Sequence, residues 1–412
     1  MFGLSRLFNR TSPQDRFARE VINLLGEVSQ GIRYEYDPTL FRLQAPDGQI
    51  IFLDNAYNEC RRASGSQRKK VLASFLAGMA PSDVPSDFDD ARAHILPVLR
   101  HVAGLESVQL ENNPEKAASV WAEFPMQPFS GDLAIAMAFD SEHAVHQVGK
   151  SVLDKWQRPL NEVLAVALDN LRAKAPARFE LHAPGLFVSQ YGDYYDASRL
   201  LLPELAWQLP VRGTPVAMVP NRMCLLVTGD NDVEGIAAMI ATAEKILIED
   251  TRPLGSEMFR AVEQGWKTWQ PEGANGIRLH NLQLRMRASD YAHQKRALDH
   301  RINLTGEDVF VATFSLAQRQ GVERIHSLSV LTKGVDTLLP KTDLIYLTNL
   351  ETKETISVPW SVFEHIAGYL LEPLPHVLSR YRVRHFPSAD EIQRLREAED
   401  AEVKAVQSGS SK

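Results

Sequence analysis

The stretch Tyr191-Gly-Asp-Tyr-Tyr-Asp-Ala-Ser-Arg-Leu-Leu201 gathers most of the residue types that do chemistry into one turn-rich segment. It holds acids at Asp193 and Asp196, an aromatic pair at Tyr194 and Tyr195, a hydroxyl at Ser198 and a guanidinium at Arg199. A second guanidinium, Arg222, follows in Val219-Pro-Asn-Arg222. A crevice lined by Tyr195, Asp196, Ser198, Arg199 and Arg222 would suit a hydrolase-type enzyme or an anionic ligand. Tyr194 and Tyr195 would form its aromatic wall. A serine nucleophile needs a base, and no histidine lies beside Ser198 in the sequence. The plainer chemistry is structural. Asp196 can cap a new helix by accepting from the N–H groups of Ser198 or Arg199, and Arg199 can pair with Asp193 or Asp196. The candidate ligand or partner site is therefore Asp193, Tyr194, Tyr195, Asp196, Ser198, Arg199 and Arg222, with no catalytic residue assigned.

Other motifs are sparse. The chain has no phosphate loop, dinucleotide fingerprint, His-Glu-x-x-His or Gly-x-Ser-x-Gly. No cofactor is implied. His143 and His146 share a face if their segment is helical, with Glu142 and Asp140 nearby, but a metal needs a third ligand at defined spacing, so no metal site is assigned. The two cysteines, Cys60 and Cys224, sit among apolar neighbours, read as buried thiols, and cannot build a disulfide framework.

The 412 residues, 44% hydrophobic and 24% charged, support a sizeable core and leave a net charge of −7. That balance argues against general nucleic-acid binding, which needs a basic footprint. Local basic clusters remain at Arg61-Arg62 and Arg68-Lys69-Lys70, while Arg380, Arg382 and Arg384 alternate as on the solvated face of a strand. Residues 1–8 are too short and interrupted for a signal peptide, and no stretch reads as a membrane span. Cytoplasmic localisation is expected.

These residues must be positioned by the following elements. A helix runs from Pro13 behind a Ser12 cap, ended by Gly31, and three strands follow around Tyr34, Leu40–Gln44 and Gln49–Leu53, with Pro46-Asp47-Gly48 as a turn. Helices follow at 56–62 and 67–77, a loop at 80–90, then helix and strand signals over 91–102. Residues 111–117 and 125–131 read as irregular. Next come a strand at 133–139 with alanine on one face, and helices at 145–156 and 160–171. Strands at 179–182 and 186–190 flank Pro184-Gly185, a helix distorted at Pro203 opens after Asp196, and strands at 215–219 and 223–228 precede a helix at 233–247 whose buried side includes Val233. Residues 256–305 read as helical in pieces around Pro271–Gly276. Strands at 309–316, 324–331, 343–350 and 355–359 then lead to a helix at 361–371. Ser361/Glu364 and Ser388/Glu391 have capping-box spacing. Lys341 and Asp343 read as solvent-facing, and Trp360 as a packing residue.

The fold class expected is α+β: two related α/β units with mainly antiparallel sheets, plus a C-terminal antiparallel-sheet α+β domain. The divisions are a tail (1–12), a first unit (13–158), a second unit (159–255), the C-terminal domain (256–390), and a terminal helix with a disordered tail (391–412).

On Ile95–Arg100, the strand 133–139 with Asp140, the helix with Ala165–Leu171, Gly192–Leu201 and Val219-Pro220, the chain resembles the YtpQ family of bacterial proteins, a domain of unknown function. The resemblance spans roughly residues 15–255. It implies a cytoplasmic bacterial α/β protein and carries over no catalytic residue, cofactor or substrate. The order helix, three strands, helix over 13–65 is also similar to secretion-chaperone-like folds. The expected function is a non-catalytic interaction, adaptor or chaperone-like regulatory protein with an unknown protein partner. A hydrolase-type enzyme is the alternative.

Overall fold

Helix Pro13–Val28 begins where a reciprocal pair of hydrogen bonds ties off its first turn: Asp15 N donates to Ser12 Oγ at 3.0 Å, and Ser12 N donates to Asp15 Oδ2 at 3.0 Å. The computed structural model describes residues 12–28, 33–38, 41–45, 50–77, 84–112, 120–141, 145–174, 176, 178–249, 253–318 and 321–398. The expectations at Gly31, Pro46–Gly48, His143 and the two termini lie outside these residues. Phe17, Ala18, Val21 and Leu25 form the buried stripe of the first helix. It packs with an antiparallel meander of strands Glu35–Asp37, Arg42–Gln44 and Ile50–Phe52, shorter than the sequence suggests, and with helices Asp54–Arg62 and Gly65–Ala77. Tyr57 meets Phe17 and Phe41 edge-on, each at 5.5 Å between centroids.

Strand Ile95–His101 leads directly into helix Val102–Asn112, which the sequence reading missed. Strand Leu133–Asp140 is buried on both faces, and Ala134, Ala136 and Ala138 have no exposed surface. The expected helix at 145–156 divides. Val145–Gln147 is a strand paired antiparallel to Ala138–Asp140, and the helix is Lys150–Trp156, starting only after Gly149. Helix Leu160–Ala173 is close to expectation. The molecule divides into two compact units, 1–97 with 137–171 and 98–136 with 172–412.

In the second unit, strands Phe179–Ala183, Leu186–Ser189, Pro215–Asn221 and Cys224–Gly229 form the expected hairpins. The sheet does not stop there. Strand Met258–Val262 pairs antiparallel with Val216–Met218, and Gly265–Thr268 pairs with it in turn, making six strands. The boundary expected at 255 thus falls inside a sheet. Helix Val233–Glu249 covers it through Ile236, Met239 and Ile240, while Val233, expected to be buried, is 71% exposed. Gly235 lets this helix approach closely: a β-carbon there would lie 2.3 Å from Thr228 Oγ1, which donates to Gly185 O.

Residues 273–305 form one helix, Gly273–Thr305, rather than pieces. Gly273, at φ +63°, absorbs the turn at its start, Gly276 is helical at a place where a β-carbon would run into the Pro271 carbonyl, and Gly306 closes the end in the left-handed region. Beyond it lie two four-stranded sheets. The parallel pairs Phe310–Val311 with Thr337–Pro340, and Ile325–Thr332 with Leu344–Asn349, make them mixed rather than antiparallel. The fold is accordingly α+β with several mixed sheets.

Two local expectations change, and one stands. Helix Trp360–Ala367 begins one residue early with Pro359 in the cap position, so Ser361 and Glu364 form no box there; the Ser388/Glu391 box does form. Lys341 and Asp343 are exposed as expected, and Asp343 Oδ2 in addition accepts from both N and Oγ of Ser327. Arg380 is 1% exposed, and its strand, Arg380–Val383, is buried at both ends and half-buried between, so the three arginines do not share a solvated face. It donates to Gln294 Oε1 and to the carbonyls of Ala312 and Leu338, and burial pulls its pKa down to about 10. Arg382 and Arg384 do reach carboxylates at the surface, Asp336 and Glu372.

Candidate functional site

After strand Leu186–Ser189 the chain turns back on itself through Gly192 (φ +67°) and Tyr194 (φ +66°). Asp196 organises the turn by looking backward, not forward. Its Oδ1 accepts from Tyr191 N at 3.0 Å and its Oδ2 from Gly192 N at 3.1 Å. The expected cap toward Ser198 and Arg199 is absent; the segment Ala197–Leu201 is a 3-10 turn with no side-chain cap. The next helix, Pro203–Trp207, starts at Pro203 instead of being distorted by it, because proline fits the first helical position.

Arg199 pairs with Asp193, one of its two expected partners. The contact is bidentate, Nη1 to Oδ1 at 2.8 Å and Nη2 to Oδ2 at 2.7 Å. Tyr195 N also donates to Asp193 Oδ1. The Arg199 guanidinium carbon lies 3.4 Å from the centroid of the Tyr191 ring. Burial pushes the Asp193 carboxyl upward, but the Arg199 and Tyr195 hydrogen bonds outweigh it and its pKa falls below the ordinary value. The Arg199 side chain has no exposed surface and that of Asp193 is 37% exposed.

The seven candidate residues therefore do not line one crevice. Tyr195, Asp196, Ser198 and Arg199 are buried. Tyr194 and Arg222 lie outside, with the guanidinium carbon 5.2 Å from the ring centroid, and Arg222 O accepts from Ala197 N. Among the described residues, no histidine, lysine or carboxylate hydrogen-bonds the Ser198 hydroxyl. Likewise no group of three His, Cys, Asp or Glu is placed to hold a metal, and His146 lies on a strand. Burial pushes the Cys224 thiol up to about 12.

Two concave places escaped the sequence reading. In the second unit, His101 Nε2 stands 3.4 Å from Asp290 Oδ2 in a recess shared with Asp132, Glu257, Gln283 and Arg287. Burial opposes the charge on His101, yet the hydrogen bond and charge of Asp290, with Asp132 behind, raise its pKa. Burial also raises Glu257, with Asp132 adding to the effect. The free space is about 10 Å³, room for one water. These groups come from positions so far apart that no local spacing announces them.

The other place is in the first unit. Pro13, Arg16, Phe17 and Glu20 on the first helix face Tyr57, Cys60 and Arg61 on helix Asp54–Arg62 across an open groove of about 570 Å³. Phe17 and Cys60 are its buried floor, and Arg16 and Arg61 are exposed on opposite walls. Arg68 closes one end by pairing with Glu20, Nη1 to Oε1 at 2.8 Å. The sequence marked Arg61 and Arg68 as basic clusters and a helix from Pro13, but not that the helix and the clusters face one another.

No family model matches the chain, and no curated protein or solved structure compared with it matches either. Among the described residues, no helix is long and apolar enough to cross a membrane.

Proposed function

We propose that the chain is a non-catalytic interaction protein, an adaptor or chaperone-like regulator of the bacterial cytoplasm. The observation that carries this reading is the groove between helices Pro13–Val28 and Asp54–Arg62, which presents an aromatic floor and guanidiniums. The YtpQ resemblance supplies the bacterial, cytoplasmic setting. A native pull-down with mass spectrometry on the tagged full chain tests the proposal. One partner retained at constant stoichiometry through salt washes is the expected result. Turnover of ester, phosphoester or peptide substrates by the purified chain, with no retained partner, would overturn it.

A hydrolase-type enzyme is the second reading. It draws on the His101–Asp290 pair beside Glu257, since titratable groups whose pKa values are displaced together are a common mark of acid–base sites. On this reading the base is His101 and Ser198 has no role. Hydrolysis abolished by His101→Gln and untouched by Ser198→Ala would establish it.

A further inference from the structure

We infer that the groove of the first unit binds an acidic amphipathic helix of a partner protein; this rests on the interaction reading above and names its partner class. The walls are helical faces. Positions 13, 16, 17 and 20 on one side and 57, 60 and 61 on the other follow the three- and four-residue spacing of helix ridges. Ridges of that kind leave a groove which a third helix fills with its own stripe. The free volume of about 570 Å³ is open to solvent between the two helices, unlike the one-water recess of about 10 Å³ at His101.

Charge chooses the occupant. Three arginines line the groove, and Glu20 neutralises only Arg68. Among the described residues, Arg16 and Arg61 make no ion pair. They stand on opposite walls of an apolar floor built from Phe17, Tyr57 and Cys60. A complementary helix carries one apolar stripe for that floor and carboxylates on both flanks of the stripe. The chain as a whole carries −7, so its net charge does not draw an acidic helix and the attraction has to come from local cations such as these two arginines. The floor supplies apolar burial, and the two arginines set orientation and encounter rate.

The test uses the full chain and a fluorescent amphipathic peptide of about 15 residues, long enough to hold a helix when docked, with leucines along one stripe and glutamates flanking it. Fluorescence anisotropy should show saturable binding that weakens with salt. The double variant Arg16→Glu/Arg61→Glu should weaken it at least about tenfold, a factor worth about 1.4 kcal/mol. Arg16→Gln/Arg61→Gln should give an intermediate loss. Both positions are exposed, so the melting temperature should hold, and a thermal melt of each variant verifies folding. A peptide with lysines replacing the glutamates should not bind. Binding unchanged by charge reversal, or none at all, would overturn the proposal. So would competition by inorganic phosphate at equal charge, which would make the groove a small-anion site. If the pull-down retains a partner equally well with Arg16→Glu/Arg61→Glu, the groove assignment falls while the interaction reading stands. If no partner is retained and the chain turns over substrate, the reading itself falls.

Discussion

At Arg199 a cation has been taken out of water and given one carboxylate, one aromatic face and a backbone carbonyl in exchange. Removing one member of a buried pair costs about 3–5 kcal/mol, because the other charge is left uncompensated. Asp193 is partly solvated, which favours the lower end. Arg199→Ala should therefore lower the thermal midpoint by several degrees. Arg199→Lys should recover little, since an ammonium cannot make the bidentate contact or stack on Tyr191. Asp196 carries a second expectation. Both of its oxygens accept backbone N–H groups, so Asp196→Asn places an amide NH2 against one of those donors. It should cost about 1–3 kcal/mol, close to Asp196→Ala, and a denaturant melt of the two variants compares them. Had Asp196 capped a helix, asparagine would have been mild. The residue types and the Asp193–Arg199 pairing were legible in the sequence. The direction in which Asp196 bonds was not, because it depends on left-handed backbone at Gly192 and Tyr194, and a non-glycine residue such as Tyr194 gives no compositional sign of that.

Elements with one strong periodic stripe, such as Pro13–Val28 and Leu160–Ala173, could be read directly from spacing. Val102–Asn112 could not, because it shows no one-sided stripe: it packs along the long helix Gly273–Thr305, and the polar Glu106, Ser107 and Gln109 are buried alongside its apolar residues. Two histidine–carboxylate contacts fasten that region, His101 with Asp290 just before the helix and His376 with Glu106 within it. The first makes stability depend on pH. The raised folded pKa of His101 means the native state holds a proton that the unfolded chain releases above its ordinary value of 6.5. The contribution is fully present below that value and is lost as pH rises through the folded pKa. Glu257, also raised, acts with the same sign in a lower window, above its ordinary 4.5. Asp132 and Arg287 face the same recess and set the background charge. Thermal midpoints should thus fall as pH rises above 6.5 and through the raised folded pKa of His101. In His101→Gln that decline should flatten, while the decline above 4.5 due to Glu257 stays. An unchanged profile in the variant would remove His101 from the account.

For the whole molecule, the order of elements was legible and the partnership between distant ones was not. Pro253-Leu254-Gly255 reads as a boundary, yet Met258–Val262 returns to the sheet, and Leu279 and Leu282 of the long helix enter the same core as Ile236 and Ile240. Strand pairing is decided by which edge remains open, and local sequence carries little of that information. By contrast, the cluster from Phe17 to Leu72 draws only on residues of the first helix, the three-stranded meander and the two following helices. The two regions should respond oppositely to truncation. A chain ending at Pro253 loses Met258, Phe259, Leu279 and Leu282 from burial. At about 1.5–3 kcal/mol for each buried side chain, that loss rivals the entire 5–15 kcal/mol stability of a typical domain. Its sheet should not fold. A fragment of residues 1–83 retains its whole cluster and should melt cooperatively, although with the narrow margin of a domain this small. Circular dichroism melts of the two fragments beside the full chain decide the matter. The 1–253 chain should either aggregate or show only the transition that the 1–83 fragment shows alone. A second cooperative transition in the 1–253 chain would mean that the four strands between Phe179 and Gly229 hold together without the 258–268 hairpin and the long helix, and that residue 255 is a true boundary.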